Sequence, residues 1–216
     1  MPLAAAIIPV TPFEQNCALV WDEDTKRGAV IDPGGDVPSI LAAIAEHRVQ
    51  VDKIVLTHGH LDHAGGAAEL AEALAVPVLG PGIEDAPLLA ALPEQGARFG
   101  LAGLKAVQPT RYLAEGETIA IGEEVFDIWH CPGHTPGHLV FTSVPLGIAF
   151  VGDVIFRGSV GRTDFPYGDG AALVHAIRTK LFPLGDEIQF LCGHGPGSSF
   201  GEERRTNPYC GDAAAV

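Results

Sequence analysis

Positive charge is scarce in this chain: 13 Lys and Arg stand against 27 Asp and Glu, a formal net charge of −14 over 216 residues. A phosphate backbone would be repelled across most of such a surface, so no nucleic-acid partner is expected. Cysteine is sparse too. The four present, Cys17, Cys131, Cys192 and Cys210, are scattered, and a chain of this length builds its core without disulfide staples. They are expected as reduced thiols in the cytoplasm, with Cys131 and Cys192 as small buried filler rather than redox or metal groups. The apolar start M-P-L-A-A-A-I-I-P-V has no basic lead and is broken by Pro9 before it reaches the length of a signal-peptide core or a membrane span. It reads as a first strand, and no membrane partner is expected. There is no internal repeat, low-complexity tract or long linker. With 47% hydrophobic residues the chain can bury a sizeable core, so residues 1–216 are expected to form one domain, as a monomer or small homo-oligomer.

What the chain does have is T-H-G-H-L-D-H at residues 57–63, directly after the apolar run Val51 to Leu56. His58, His60, Asp62 and His63 are the imidazole and carboxylate ligands that zinc, iron and manganese prefer. So tight a segment cannot aim all four at one ion without strain, and two neighbouring metals are expected. Two ions need further ligands, because each holds roughly four to six bonds and keeps a position for water. His134 in C-P-G-H-T-P-G-H, Asp153 in V-G-D and His194 in C-G-H-G-P are the candidates, each where an apolar run meets glycine and a strand can leave the core.

This order, T-H-x-H-x-D-H followed by a lone His, a lone Asp and a last His, resembles the metallo-β-lactamase superfamily over nearly the whole chain. The resemblance implies that His58, His60 and His134 hold one metal, that Asp62, His63 and His194 hold the other, and that Asp153 bridges them. It also implies a four-layer αββα sandwich of two mixed sheets with the metals at one edge. No Cys falls on a ligand position; Cys131 and Cys192 miss by three and two residues, so antibiotic hydrolysis is not expected.

The stretch G-S-V-G-R-T-D-F, residues 158–165, is similar to the glyoxalase II branch and to the related persulfide dioxygenases. In those relatives the basic residue matching Arg162 reaches a glutathione carboxylate, a task suited to a planar two-pronged donor; the alternative is that Arg162 and Asp164 only tie a loop. Only 22 residues follow His194, too few for the helical C-terminal domain of a full-length glyoxalase II. The ending G-E-E-R-R-T-N-P-Y resembles the compact bacterial glyoxalase II-like hydrolases instead. The implied activity is hydrolysis of a small thioester of the hydroxyacylglutathione (glyoxalase II) type by metal-activated hydroxide. Two divalent ions are the implied cofactor, zinc first, with iron or manganese as alternatives. Asp62 would orient the nucleophile and take its proton. The second expectation is an iron-dependent glutathione persulfide dioxygenase using His58, His134 and Asp153.

Alternating and apolar runs predict strands at 3–10, 17–22, 28–31, 51–56, 76–79, 117–121, 124–129, 138–144, 147–151 and 187–191. Helices are predicted near 37–47, 64–75 and 171–181, with a helix and loop over 88–104. His47 and His175 are expected to have no role at the site. His138 and Asp32 are expected to support ligands, and Asp36 to do likewise or to cap the first helix.

Overall fold

The computed structural model describes residues 3–214. Leu3–Val10 (β1), Gln15–Asp22 (β2), Arg27–Ile31 (β3), Gln50–Val55 (β4) and Val78–Leu79 (β5) form the first sheet in sequence order. β1 to β3 run antiparallel, while β3, β4 and β5 run parallel. The parallel pairs require crossovers, which Val37–His47 (α1), Leu61–Ala64 (α2) and Ala67–Leu74 (α3) supply. Ala86–Ala90 (α4) and Leu92–Arg98 (α5) follow.

The second sheet contains Thr118–Ile121 (β6), Glu124–His130 (β7), Leu139–Ser143 (β8) and Ile148–Gly152 (β9). After the small hairpin Ile155–Phe156 (β10) and Ser159–Val160 (β11) and the helix Gly170–Ala176 (α6), it is completed by Gln189–Cys192 (β12) and Ser198–Ser199 (β13). Its order is β13-β12-β9-β8-β7-β6, mixed because β12 lies parallel to β9. Phe200–Thr206 (α7) ends the regular structure.

The strand period of two sorts the core into three layers of side chains. Ala18, Val20, Ala29, Ile31 and Val55 meet Ile121, Phe126, Ile128, Phe141 and Phe150 between the sheets. Leu19, Trp21, Val30 and Ile54 face the opposite way, against Ile40 of α1 and Leu70 of α3. Val140, Val151 and Phe190 pack on Leu173 of α6 and Phe200 of α7. The result is the expected αββα sandwich. β2 is apolar on both faces because it is covered on both.

Three expectations change. The helix expected over 64–75 begins at Leu61 and is interrupted at Gly65 and Gly66, where the Gly66 amide bonds Pro33 O at 2.9 Å and seats the chain on the turn after β3. The single helix expected after Leu88 is two short ones, each with proline in its first turn, which starts a helix readily and cannot continue one. Asp36 stands at the α1 N-cap position but makes no capping bond; its backbone is left-handed (φ 47°) and its carboxylate accepts from Thr11 N at 2.7 Å. Among the described residues no helix is long and apolar enough to cross a membrane.

Candidate metal centre

The strand termini at one end of the sandwich carry every ligand candidate. His58, His60, Asp62 and His63 follow β4, His134 lies between β7 and β8, Asp153 follows β9, and His194 follows β12. Because β4 belongs to one sheet and the other three strands to its partner, the ligand loops meet across the edge of the sandwich. Leu139 N donates to Thr57 O at 2.8 Å and stitches the two loops together.

Two convergent groups result. Ligand-capable atoms of His58, His60 and His134 lie within 4.8 Å of one another, as do those of Asp62, His63 and His194. Asp153 sits between them, with Oδ2 at 3.5 Å from His134 Nε2 and 3.7 Å from His194 Nε2, and Oδ1 at 3.3 Å from His63 Nε2. Asp62 Oδ2 lies 3.1 Å from His194 Nε2. A further group, Asp32 with His58 and His63, is equally compact, but there Asp32 Oδ2 accepts the His63 Nδ1 proton at 2.8 Å, so that nitrogen has no lone pair to offer an ion.

Each imidazole has one nitrogen committed to a protein oxygen. His58 Nδ1 meets Thr57 Oγ1 at 3.1 Å, His60 Nε2 the Tyr167 hydroxyl at 2.8 Å, and His63 Nδ1 the Asp32 carboxylate at 2.8 Å. His134 Nδ1 donates to Arg162 O at 2.8 Å, and His194 Nδ1 to Phe13 O at 3.1 Å. The other nitrogen of each ring points inward. Inside the cluster, His60 Nδ1 approaches His58 Nε2 at 3.1 Å and His134 Nε2 at 2.9 Å, three lone pairs that no single proton satisfies. His63 Nε2 and Asp153 Oδ1 are buried without any hydrogen-bond partner. Convergent lone pairs and orphaned buried atoms of these types fit divalent ions.

Electrostatics separate the two groups. Burial, reinforced by neighbouring imidazoles, holds His58 well below the ordinary histidine value and brings His60 down to about 3. Burial lowers His134 as well. For His63 burial opposes the charge, but the carboxylates of Asp153 and Asp62 outweigh it and hold the ring well above its ordinary value; His194 is raised in the same way by Asp62 and Asp153. Asp153 and Asp62, despite burial, are kept below the usual carboxylate range, His63 being the largest opposing influence on each.

Two glycines of the motifs are dictated by contact. A Cβ on Gly193 would fall 2.1 Å from Asp153 Oδ1 and 2.5 Å from His63 Cε1, and on Gly152 (φ 48°) 2.5 Å from Thr57 Oγ1. The V-G-D and C-G-H pairs therefore let two strands press their ends against the cluster.

Supporting roles fall as expected for two residues. His138 stacks on His58 at 4.5 Å and accepts from Asp153 N at 3.0 Å, while Asp32 also accepts from Thr57 N at 2.7 Å. His47 instead stacks on Trp21, and His175 is exposed on α6. All four cysteines are free and buried, and burial pushes Cys131 up to about 12 and Cys192 to about 11, as inert filler requires. Arg162 lies at the rim. Its main chain serves His134, but its guanidinium is already bonded by both prongs to Asp164, at 2.7 and 2.8 Å, and lies over the Phe165 ring at 4.6 Å.

Sequence reasoning missed Tyr167, Asn16, Asp85 and Gln95. Asn16 holds the His194 loop through Cys192 O at 3.0 Å and Gly195 O at 2.9 Å. Its only signal was a polar residue opening an apolar strand.

This fold and centre define a metallo-hydrolase, and the chain belongs to the metallo-β-lactamase superfamily, whose family model matches residues 10–194. Among curated relatives it is 47% identical over 204 residues to the hydroxyacylglutathione hydrolase GloC of Haemophilus influenzae, covering 94% of this chain and 96% of that one. Among solved structures it is similar to TTHA1623 in a di-iron-bound form, with TM-score 0.84, 37% identity and coverage of 94% of this chain and 99% of the other. It is also similar to the BLEG-1 B3 metallo-beta-lactamase, with TM-score 0.87, 28% identity and coverage of 97% and 99%.

Proposed function

We propose that the chain hydrolyses a small thioester of the hydroxyacyl-glutathione type with two divalent ions. His58, His60 and His134 hold the first ion and Asp62, His63 and His194 the second, with the Asp153 carboxylate between them. The observation that carries the ligand assignment is that one nitrogen of each of these five imidazoles meets a protein oxygen while the other faces the cluster. The thioester assignment is supported by the 47% identical relative named a hydroxyacylglutathione hydrolase. Zinc suits this donor set, as do iron and manganese, and a similar structure holds two irons.

Ions bound there lower the pKa of water toward about 7 and act as Lewis acids. Asp62, kept ionised beside His63 and His194, orients the attacking water and accepts its proton. The departing thiolate has a conjugate-acid pKa of about 8.5, so no further general acid is required. Phe165, packed 4.9 Å from the His60 ring and 5.7 Å from His134, shields that side of the cluster from bulk water. At the rim Arg162 takes a substrate carboxylate in exchange for Asp164. Both members of that pair are largely exposed, at 64% and 67%, so little is lost in the exchange.

The test is metal analysis of protein purified without added metal, followed by a substrate panel. The panel contains charged and neutral thioesters, a β-lactam, and glutathione persulfide with oxygen uptake. Two ions per chain and thioester turnover above the metal-free control are expected; no turnover of any thioester overturns the reading. One iron per chain with oxygen uptake on the persulfide would replace it by dioxygenation through His58, His134 and Asp153. That alternative is not favoured, because the Asp62, His63 and His194 group would then be idle.

A further inference from the structure

Asp85 is a buried carboxylate that the proposed reaction does not use. It closes a short 3₁₀ turn, Ile83–Asp85, between β5 and α4. Oδ2 accepts from Gly59 N at 2.8 Å and from Thr135 Oγ1 at 2.8 Å, and Oδ1 accepts from Gly137 N at 2.6 Å. These donors belong to two different ligand loops. Gly59 lies between His58 and His60, in the loop after β4 of the first sheet. Thr135 and Gly137 follow His134, in the β7–β8 loop of the second.

We propose that Asp85 is the positioning residue for the first metal: one carboxylate clamps the His58-Gly59-His60 loop to the His134 loop and so sets the spacing of the three imidazoles. The proposal rests on the ligand assignment made above.

Three converging donors demand an acceptor-only group, and a carboxylate is one, whereas the amide of an asparagine would turn an NH2 toward at least one N–H or O–H. Burial pushes the Asp85 carboxyl above its ordinary value, and the bonds from Thr135, Gly137 and Gly59 oppose that shift by favouring the charged form. The surroundings are shaped for the clamp. Gly82 N bonds Gly137 O at 2.9 Å, and a Cβ on Gly137 would fall 2.6 Å from Asp85 N. From the other side, Gln95 of α5 holds the same loop through Gly59 O at 3.3 Å and Leu61 N at 3.0 Å. No comparable bond runs from Asp85 to the Asp62, His63 and His194 group among the described residues, so its influence is selective.

The experiment is titration of metal-free Asp85→Asn, Asp85→Ala and Thr135→Val proteins with cobalt(II) chloride, followed by the visible cobalt spectrum, chelator competition and thermal melting. Wild type is expected to take two ions. Asp85→Asn should weaken one site by roughly 10- to 100-fold and change its cobalt spectrum while the other site keeps wild-type competition. Thr135→Val should move the same site less. If Asp85→Ala does not fold, the Asn and Val variants decide. Unchanged spectra and competition curves overturn the proposal, as does parallel weakening of both sites with a lower melting temperature, the mark of a general structural role. A wild type that binds a single ion overturns the two-metal reading, while the variants still report whether Asp85 governs that ion. Absence of thioester turnover leaves the metal readout intact.

Discussion

Asp32 and His63 share a fully buried 2.8 Å hydrogen bond, carboxylate to Nδ1, that turns the other ring nitrogen of His63 toward Asp153. The same carboxylate accepts from Thr57 N and from the Thr57 hydroxyl, which in turn accepts from His58. Asp32→Asn is expected to weaken the second ion by roughly 10- to 100-fold, with a smaller effect on the first, the reverse of Asp85→Asn. Metal stoichiometry after graded chelator exposure checks this, and equal loss at both positions would contradict it.

Acid should strip the two positions in order. Without metal, His58, His60 and His134 have lowered values, so an ion at the first position displaces few protons near neutrality. His63 and His194 have raised values and hold protons to higher pH than the first group, so an ion there competes with protons sooner and affinity at the second position falls first as pH falls. Dialysis across a series from about pH 7.5 to about pH 6, near the ordinary histidine value, should leave one ion per chain before none. Calorimetry in buffers of different ionisation enthalpy should record proton release with the second ion.

Removing the shared carboxylate is a sterner test than removing either group. Asp153→Ala should lose or separate both ions and lower turnover by orders of magnitude. His134→Ala should chiefly deplete the first ion and His63→Ala the second. Full metal content with near-normal turnover in Asp153→Ala would refute the ligand assignment, and identical occupancy in the two histidine variants would indicate a single site.

Arg162 separates substrate binding from loop tethering. Arg162→Ala should raise KM for a carboxylate-bearing thioester by roughly 10- to 100-fold and leave a neutral thioester nearly untouched, with metal content intact. Lys should restore only part of the loss, since a point charge lacks the fork. Asp164→Ala should free the guanidinium and lower that KM. If both variants instead slow both substrates alike and melt earlier, the side chain only ties its loop.

The terminal G-E-E-R-R-T-N-P-Y motif acts through Glu203, a buried residue that accepts from Gly158 N at 2.8 Å, Ser198 Oγ at 2.6 Å and Asn207 Nδ2 at 2.8 Å. Asn207 Nδ2 also donates to Ser159 O at 2.9 Å. Together they pin the β10–β11 turn from which the Arg162 loop departs. Glu203→Ala should destabilise the fold by about 2 kcal/mol or more in urea unfolding, because buried donors lose their acceptor. Metal stoichiometry should persist.

The parts of this molecule that were legible in its sequence are those whose cause is local. The strands announce themselves through apolar runs, and His58 to His63 through crowding in one loop. Gly152 and Gly193 were visible as glycines beside ligand positions, but their reason, a neighbouring side chain that leaves no room for a Cβ, belongs to another part of the chain. Asp85, Gln95 and Asn16 were hidden for the same reason, since a loop acid bonded to a distant glycine looks like any surface acid until the fold supplies the partner. The helix breaks at Gly65 and before Leu92 were misjudged because helical composition persists through them, and only the seat on the Pro33 turn and the prolines in the first turns reveal the interruption.

The candidate ligands are divided by sheet as well as by ion: His58, His60, Asp62 and His63 precede the connection between the two sheets, and His134, Asp153 and His194 follow it. Neither half of the chain contains a complete set for either ion. Gly103, in the exposed connection after α5, has open space where a Cβ would stand and lies outside any helix or strand, between Leu101 and Leu104, which pack on the first core. If the proposed ligand assignment holds, two fragments parted there would each lack a complete set, and metal binding would return only when they reassembled, so that ion uptake would report whether two tethered proteins have met.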